Sequence, residues 1–260
     1  MPSSVHRVLV TRPAAEAQRW TQALCEHGIQ AESLPLIDIA PLADMSALQA
    51  AWRQVPQHAA VMFVSANAVQ HFMAARPTDA ALQTQAWGTG PGTQAALQAA
   101  GWPADRIRCP SVGAPSFDSE ALWALVGAQV QGWSGRSVLI VRGADARGQL
   151  ACRDWLAQQL QSAGVQVQQC VAYVRRCPVP EAAQLERARS ALHDGSWWLF
   201  SSSEAAQNLQ TWLPAGVGPQ ARALATHPRI AERLRQQGWG QVQEVPATLE
   251  GQVASIECLT

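Results

Sequence analysis

The amino-acid sequence predicts a doubly wound α/β protein built from two related halves. Three observations lead to this prediction: short apolar runs bounded by helical segments, an internal repeat, and small polar residues directly after the apolar runs. Apolar runs of four or so residues between helices are typical of buried parallel strands. In such folds ligands bind beyond the carboxyl ends of the strands, so candidate functional residues are expected there.

The first half begins with a strand, a helix and a second extended segment. Val8-Leu9-Val10-Thr11 forms the first strand, and Pro13 is a good first residue for the helix predicted from about Ala14. Gly28 is suited to end this helix, and residues 29–39 then form one long extended segment. Further short strands are predicted at residues 63–64, 86–87, 138–141, 197–200 and 223–225.

The chain repeats itself without gaps over long stretches. AWGTGPGTQAALQAAGW at residues 86–102 aligns with ALATHPRIAERLRQQGW at residues 223–239, which lie 137 positions later. The same offset aligns FVSANAVQHF from Phe63 with FSSSEAAQNL from Phe200. VLVTRP from Val8 resembles VLIVRG from Val138, and an offset of 136 superimposes Leu24 on Leu160. A repeat of this length indicates two homologous halves of about 130 residues.

Small hydroxyl residues, glycines and arginines follow the predicted strands in both halves. They can cap helices, and helix N-termini also bind anions, so each position is open to a structural and a functional interpretation. Arg229 favours an anion, because a cation at a helix N-terminus is otherwise disfavoured. The strand-end segments are Thr11-Arg12, Ser65-Ala66-Asn67, Gly88 to Thr93, Arg142-Gly143, Ser202-Ser203-Glu204 and Thr226 to Arg229.

Composition limits the possible chemistry. The 260-residue chain has 48% hydrophobic and 15% charged residues and no net charge, which is ordinary for a globular enzyme and gives no general field for nucleic acid. All 19 basic residues are arginine, which excludes lysine Schiff-base chemistry and a P-loop. The six cysteines are scattered and no apolar run is long enough to span a membrane, so neither a zinc site nor a membrane anchor is predicted.

The glycine-rich stretch at residues 88–92 invites comparison with a dinucleotide-binding loop. That fingerprint needs an acidic residue roughly 20 positions later for the ribose, but Arg106-Ile107-Arg108 occupies this region. The turn is therefore interpreted as an anion-binding helix start that is not specific for a nucleotide. Most of the eleven tryptophans, among them Trp20 and Trp123, are interpreted as packing residues, and none is assigned to the site.

Taken together, these segments resemble the uroporphyrinogen-III synthase family over essentially the whole chain. The resemblance rests on the order and spacing of VLVTRP, FVSANAV, GTGPGTQAALQAAG, SEALWAL at Ser119, VLIVRG, VAYVRR around Tyr173, FSSSEAAQNL and HPRIAERLRQQGW. It implies two flavodoxin-like doubly wound parallel-sheet domains, joined by a two-strand crossover linker, with the active site in the cleft between them.

The resemblance also implies where the domains divide. LPLID from Leu34 aligns with CVAYV from Cys170 in the internal repeat, and these segments correspond to the family's crossover strands. The expected domains are residues 1–36 plus 175–260 and an inserted domain of residues 39–171, with linkers near 36–39 and 171–175. The repeat alone would suggest a simpler cut near residue 130.

The implied reaction is cyclisation of hydroxymethylbilane to uroporphyrinogen III, with loss of water and inversion of the terminal pyrrole ring. The family uses neither a metal nor an organic cofactor, and two hinged domains suit closing a flexible polyanion into one conformation. Tyr173, the only tyrosine, matches the family's catalytic tyrosine. A phenol stays protonated at neutral pH and can donate a proton to the departing hydroxyl. Packing of the tyrosine in the linker is the alternative.

Substrate carboxylates are expected to contact helix N-termini, hydroxyls and arginines. His227-Pro228-Arg229 departs from the family's usual threonine-containing turn, so His227 is either an acid–base group or a helix cap. The candidate substrate-binding residues are Arg12, Ser65, Asn67, Gly90, Thr93, Ser119, Arg142, Ser202, Ser203, His227 and Arg229.

Partners and compartment follow from the same reasoning. The expected protein is a cytoplasmic monomer with reduced thiols, which contacts hydroxymethylbilane synthase at most transiently and binds neither nucleic acid nor membrane. The alternative function is a non-catalytic two-domain cytoplasmic binder of a small anion.

Overall fold

The structure is a computed structural model, and it describes residues 7–111, 113–114, 116–150 and 155–259. The chain divides into two compact units. Unit 1 comprises Met1–Asp38 and Arg176–Thr260, and unit 2 comprises Ile39–Arg175. The chain therefore passes from one unit to the other twice, after residue 38 and after residue 175.

Over these described ranges the chain forms eleven strands and ten α-helices. The strands are β1 Arg7–Val10, β2 Gln30–Ser33, β3 Asp38–Pro41, β4 Ala60–Phe63, β5 Gln85–Gly88, β6 Ile107–Arg108, β7 Ser137–Ala144, β8 Gln166–Arg176, β9 Trp197–Phe200, β10 Arg222–Ala225 and β11 Gln241–Glu244. The helices are α1 Ala14–Glu26, α2 Ser46–Gln54, α3 Ala66–Ala74, α4 Pro91–Ala99, α5 Ser119–Val130, α6 Trp155–Ser162, α7 Ala182–Ala191, α8 Ser203–Trp212, α9 Pro228–Gln236 and α10 Leu249–Glu257.

Each unit is built on one sheet. The strand order is β11-β10-β9-β1-β2 in unit 1 and β3-β8-β7-β4-β5-β6 in unit 2. Neighbouring strands from β11 to β2 and from β8 to β6 pair in parallel. The α/β fold class predicted from the sequence is confirmed. None of the helices in the described ranges is long and apolar enough to cross a membrane.

The short apolar runs form strands because both of their faces are buried. In β4, Val61 and Phe63 belong to one hydrophobic cluster and Ala60 and Met62 to another. All four residues are buried, since successive side chains of a strand point to opposite faces. A sheet covered by helices on both faces explains why β4 is apolar throughout and does not alternate with polar residues.

The internal repeat is visible in the topology. The first residues of β4 and β9, of α3 and α8, of β5 and β10, and of α4 and α9 lie 137 positions apart. Gly28 and Gly164 both follow a helix with positive φ, which a residue without a Cβ adopts at little cost. In each half, the first strand pairs with a later strand of the other half. Strand β1 pairs with β9, and β7 pairs with β4.

Three details differ from the sequence expectation. The extended segment at residues 29–39 is two strands, β2 and β3, because they belong to different sheets. Strand β7 continues through Arg142 and Gly143, because its longer neighbour β8 pairs with it as far as Ala144. Pro13 has extended ψ and precedes α1 as its N-cap, so it is not the first helical residue.

Candidate active site

At the carboxyl edge of unit 2, polar side chains contact Tyr173. Strand β8 carries this residue, which is 3% exposed and belongs to a hydrophobic cluster of unit 2. Its hydroxyl lies 3.2 Å from Ser65 Oγ. The imidazole ring of His71 stacks on the phenol ring, with 5.5 Å between ring centroids. Packing and a hydrogen bond therefore hold the Tyr173 side chain in place.

Ser65 is at once a helix cap and the partner of Tyr173. It is the N-cap of α3, and its Oγ accepts a hydrogen bond from the Ala68 N–H at 3.1 Å. Either hydroxyl of the pair can be the donor, so Ser65 can donate its own proton to the Tyr173 oxygen while it accepts from the Ala68 N–H. In that arrangement the phenolic proton of Tyr173 can be donated to another acceptor.

Gly143 makes room for the Tyr173 ring. The pairing of β7 with β8 shifts register between Arg142 and Gly143, and Gly143 then lies opposite Tyr173. A Cβ at position 143 would lie 2.5 Å from two carbons of the ring. The bulge and the missing side chain together allow the phenol to lie against the backbone of β7.

Arg142 is buried inside β7 and does not extend freely from the strand end. It is 8% exposed, and its Nη1 donates a hydrogen bond to Gln169 Oε1 at 2.9 Å. A buried guanidinium needs such partners because leaving its N–H groups unsatisfied is costly. The structure thus places Arg142 one residue before the glycine that supports Tyr173.

The glycine-rich turn after β5 is packed from two sides. Gly90 is the N-cap of α4, and a Cβ there would lie 2.9 Å from the Phe117 Cβ. The Cys109 thiol donates to the Gly90 carbonyl at 3.0 Å, and burial raises the pKa of this thiol to about 11, so it stays protonated. Thr93 is buried, and its methyl group lies 2.9 Å from the Cβ that Gly88 lacks. The turn is therefore held in one conformation.

Two further candidates of unit 2 lie in the first turns of helices. Asn67 is the second residue of α3. Ser119 is the first residue of α5, whose N-cap is Asp118, a side chain that accepts from the Ala121 N–H at 2.8 Å. Asp118 takes the capping role, so the Ser119 hydroxyl is not needed for it.

In unit 1 the residues that follow β1 are tightly packed. The Thr11 hydroxyl donates to the Leu199 carbonyl at 2.8 Å. The Arg12 guanidinium lies 4.1 Å from the centre of the Trp20 ring and 3.6 Å from the Glu16 carboxylate. Burial lowers the pKa of Arg12, and the Glu16 charge partly opposes this shift. Arg12 Nε is buried without a hydrogen-bond partner.

The two helices that follow β9 and β10 begin at capped N-termini. Ser202 Oγ accepts from the Glu204 N–H at 3.1 Å, and the Ser203 hydroxyl is buried without a partner. His227 Nδ1 accepts from the Arg229 N–H at 3.1 Å, so His227 is the N-cap of α9. Arg229 itself is exposed at this helix start.

His71 is the contact that sequence reasoning missed, although the repeat contained a signal for it. The equivalent residue 137 positions later is Asn208, which donates to the Leu36 carbonyl at 2.7 Å. Leu36 and Tyr173 lie in the two segments that the repeat aligns, residues 34–38 and residues 170–174. Asn208 and His71 therefore contact equivalent segments of the two halves. A shared contact of this kind could have been inferred from the alignment.

In the parts of the chain that the structure describes, no group of three or more His, Cys, Asp or Glu side chains is placed to hold a metal ion. The candidate residues described above are a phenol, hydroxyls, helix N-termini and arginines, distributed over the two units.

A sequence model described as uroporphyrinogen-III synthase HemD matches residues 18–254. The chain belongs to the uroporphyrinogen-III synthase family. The resemblance found in the sequence is confirmed, and so is the enzyme class: this family is a cyclising lyase of tetrapyrrole biosynthesis, which converts hydroxymethylbilane to uroporphyrinogen III.

Solved structures of the family have the same fold. The uroporphyrinogen-III synthetase of Helicobacter pylori is 14% identical, with a TM-score of 0.61 over 96% of this chain and 97% of that one. A mutant uroporphyrinogen III synthase of Thermus thermophilus is also 14% identical, with a TM-score of 0.55 over 96% of each chain. At this identity the similarity establishes the fold.

Proposed function

We propose that Tyr173 is the general acid of the cyclisation and that Ser65 orients it. The observation that carries this proposal is the 3.2 Å contact between the two hydroxyls. Loss of hydroxide from the hydroxymethyl group of the bilane is assisted by a proton from the phenol. The Ser65 proton then stabilises the oxygen of the resulting phenolate, because that hydroxyl can donate to Tyr173.

We further propose that helix N-termini at the carboxyl edges of both sheets bind the substrate's acetate and propionate carboxylates. Backbone N–H groups and the helix dipole favour anions at such positions. In unit 2 the candidates are the starts of α3 and α4, at Asn67 and Gly90, together with Ser119. In unit 1 they are the starts of α8 and α9, where Ser202, Ser203 and Arg229 lie, assisted by Arg12 after β1.

Three candidates act within the protein in this proposal. Thr93 packs under the glycine-rich turn, and Arg142 with Gln169 supports the segment that contacts Tyr173. His227 orders the start of α9 through its hydrogen bond to the Arg229 N–H. These residues position the carboxylate-binding groups without contacting the substrate themselves.

We also propose a cytoplasmic monomer that receives its unstable substrate from hydroxymethylbilane synthase through transient contact. The five cysteines in the described ranges are free thiols, which suits a reducing compartment. The balanced charge of the chain suits a small-molecule substrate better than nucleic acid.

The decisive experiment supplies purified protein with hydroxymethylbilane, oxidises the products and separates isomers III and I. Because the bilane closes spontaneously to isomer I, enzymatic turnover is measured as isomer III. We expect Tyr173→Phe to lower kcat about 100-fold, the size of a typical general-acid contribution, while the protein stays folded. Isomer I alone at the rate of the blank would exclude the cyclisation for this chain, and wild-type kcat in the variant would remove Tyr173 from the chemistry.

A pair of cap variants separates orientation from stability. Ser65→Ala and Thr248→Ala each remove an N-cap hydroxyl, which accepts at 3.1 Å in α3 and 3.2 Å in α10, and each should cost about 1 kcal/mol of stability. Only Ser65 contacts Tyr173, so only Ser65→Ala should lower kcat, by about tenfold for one lost hydrogen bond. Equal activity in the two variants would contradict the orienting role.

A further inference from the structure

A cavity of unit 2 lies at the opposite edge of its sheet from Tyr173. Its volume is about 340 Å³, and its lining includes Ala59, Gln85, Arg106 and Arg136. These residues precede or begin β4, β5, β6 and β7, which run parallel to one another. The cavity is therefore at the amino ends of the strands, whereas Ser65 and the glycine-rich turn follow the carboxyl ends.

The lining of this cavity is positively charged. Arg106 and Arg136 both contribute to it, and among the described residues no carboxylate does. The Arg136 guanidinium lies 4.9 Å from the centre of the Trp133 ring, which is buried and stacks on Trp87. A fixed indole beneath a guanidinium restrains its orientation and leaves its N–H groups available at the rim.

The carboxylate beside Arg106 does not neutralise this arginine strongly. Asp105 Oδ2 lies 3.6 Å from Arg106 Nε, and both side chains of this pair are more than half exposed. Exposed pairs of neighbouring residues contribute little net energy, and an external anion competes with them readily. Both guanidiniums of the cavity thus retain binding capacity.

Neutral hydrogen-bonding groups complete the lining. Gln129 and Gln85 contribute to the wall, and so does His58, which is 6% exposed. His58 Nδ1 lies 2.9 Å from Ser137 Oγ, and its Nε2 is buried without a hydrogen-bond partner. Burial lowers the pKa of His58 and keeps the ring neutral. When the serine donates to Nδ1, the remaining proton is on Nε2, so the ring presents no positive charge to the cavity and adds to its neutral wall.

At the amino ends of the strands in unit 1, arginines pair with a carboxylate that unit 2 lacks at the equivalent position. There Arg187 Nη1 lies 3.0 Å from Asp194 Oδ2, and Arg7 lies 3.7 Å from the same atom. Asp194 stands three residues before β9, and the residue at the same place before the equivalent strand β4 is the neutral Gln57. Unit 1 supplies its own carboxylate to its arginines, whereas unit 2 has a glutamine at the equivalent position.

We propose that the cavity between Arg106 and Arg136 binds a small dianionic oxyanion, either phosphate or a short dicarboxylate. Guanidinium groups bind both kinds of anion through paired N–H donors. The volume is at the lower end of the range for small-molecule sites, which suits a ligand of this size. The site is distinct from the proposed catalytic edge and does not depend on the role of Tyr173.

The test is calorimetric titration of the full chain at low ionic strength with two probes, inorganic phosphate and succinate. We expect at least one of them to bind saturably at one site. The double variant Arg106→Gln with Arg136→Gln should weaken binding tenfold or more. Saturation by phosphate alone identifies a phosphate site, and saturation by succinate alone identifies a dicarboxylate site; both support the proposal.

Arg53→Gln is the matched control, since Arg53 is an exposed arginine of unit 2 on α2 and lies outside the cavity lining. This variant should bind with a dissociation constant within about twofold of the wild-type value. Urea midpoints equal to that of wild type would show that all variants are folded. The proposal is overturned if neither probe saturates, if the double variant binds like wild type, or if Arg53→Gln weakens binding as much.

Discussion

Single residues in this protein position one another through close contacts at the carboxyl edge of unit 2. Gly143 is the clearest case, because the space that its side chain would occupy is filled by the Tyr173 ring. His71 covers another part of the same ring. Both contacts restrain the ring whose hydroxyl lies 3.2 Å from Ser65 Oγ.

Replacing Gly143 therefore tests how closely the phenol position is specified. Gly143→Ala forces the ring or the strand to move, at a cost of about 1–3 kcal/mol for an overpacked site. We expect a lower urea midpoint together with a lower kcat. Gly132→Ala is the control, since a Cβ at this position would lie 3.7 Å from its nearest neighbouring atom and the φ of Gly132 is not positive. Unchanged stability and kcat in Gly143→Ala would contradict the tight packing.

Buried histidines make stability depend on pH. Burial lowers the pKa of His58 and of His71, so the unfolded chain takes up protons more readily than the folded one. The free energy of unfolding should therefore decrease as the pH falls below about 6.5, the ordinary value for histidine, and should be insensitive to these groups above it.

One substitution tests whether His58 causes this pH dependence of stability. His58→Gln retains a group that can accept from Ser137 but does not titrate, so urea midpoints at pH 7.5 and 5.5 should differ less than in wild type. One group contributes at most about 1.4 kcal/mol per pH unit. His27→Gln, at an exposed position after α1, should keep the wild-type difference. If His58→Gln keeps it as well, His58 is not the group responsible.

At the scale of elements, the glycine-rich turn and the start of α4 are positioned by the same packing contacts. Gly90 is needed because Phe117 packs against it and not for its backbone angles, which are extended and accessible to any residue. Gly92, two residues further on, has no atom within 4 Å of the Cβ that it lacks. Two glycines of the same turn thus differ completely in their tolerance of a side chain.

This difference predicts opposite outcomes for two similar variants. Gly90→Ala should displace the start of α4 from Phe117 and raise KM for hydroxymethylbilane several-fold, if the α4 N-terminus binds a carboxylate. Gly92→Ala should leave KM unchanged and stabilise the helix by up to about 1 kcal/mol. Initial rates and urea unfolding of both variants provide the measurement. A similar KM in the two would remove the α4 turn from substrate binding.

At the scale of the whole molecule, the repeat and the folding units do not coincide. The sheet of unit 2 takes β3 to β6 from the first half of the sequence and β7 and β8 from the second. In that sheet β7 and β8 lie between β3 and β4, so the first half alone leaves β4 without a neighbour on one side. The buried residues of β4 would then lie at an open edge.

Fragments test this organisation. Residues 38–176 contain all six strands of the unit 2 sheet and should unfold cooperatively in urea, as monitored by circular dichroism. Residues 1–134 have nearly the same length but lack β7 and β8, and we expect no cooperative transition. Cooperative folding of the 1–134 fragment would show that each half is an independent domain.

Local patterns in the sequence predicted several of the strands, the start of α9 and the repeat. Residues 197–200 are an apolar run and form β9, and His227-Pro228 is a cap followed by a first helical residue at the start of α9. Such features depend on neighbours within a few positions, so sequence reasoning reaches them. The order and spacing of its motifs also produced the resemblance that implies the family and its reaction.

Only the tertiary structure decided which side chains meet. Tyr173 contacts Ser65 from 108 positions away, and Gly143 faces the phenol because of a bulge that no local pattern reveals. The cavity between Arg106 and Arg136 likewise depends on the amino ends of several parallel strands lying side by side. Contacts of this kind depend on strand order and register, and these are set by burial of both sheet faces in the complete fold.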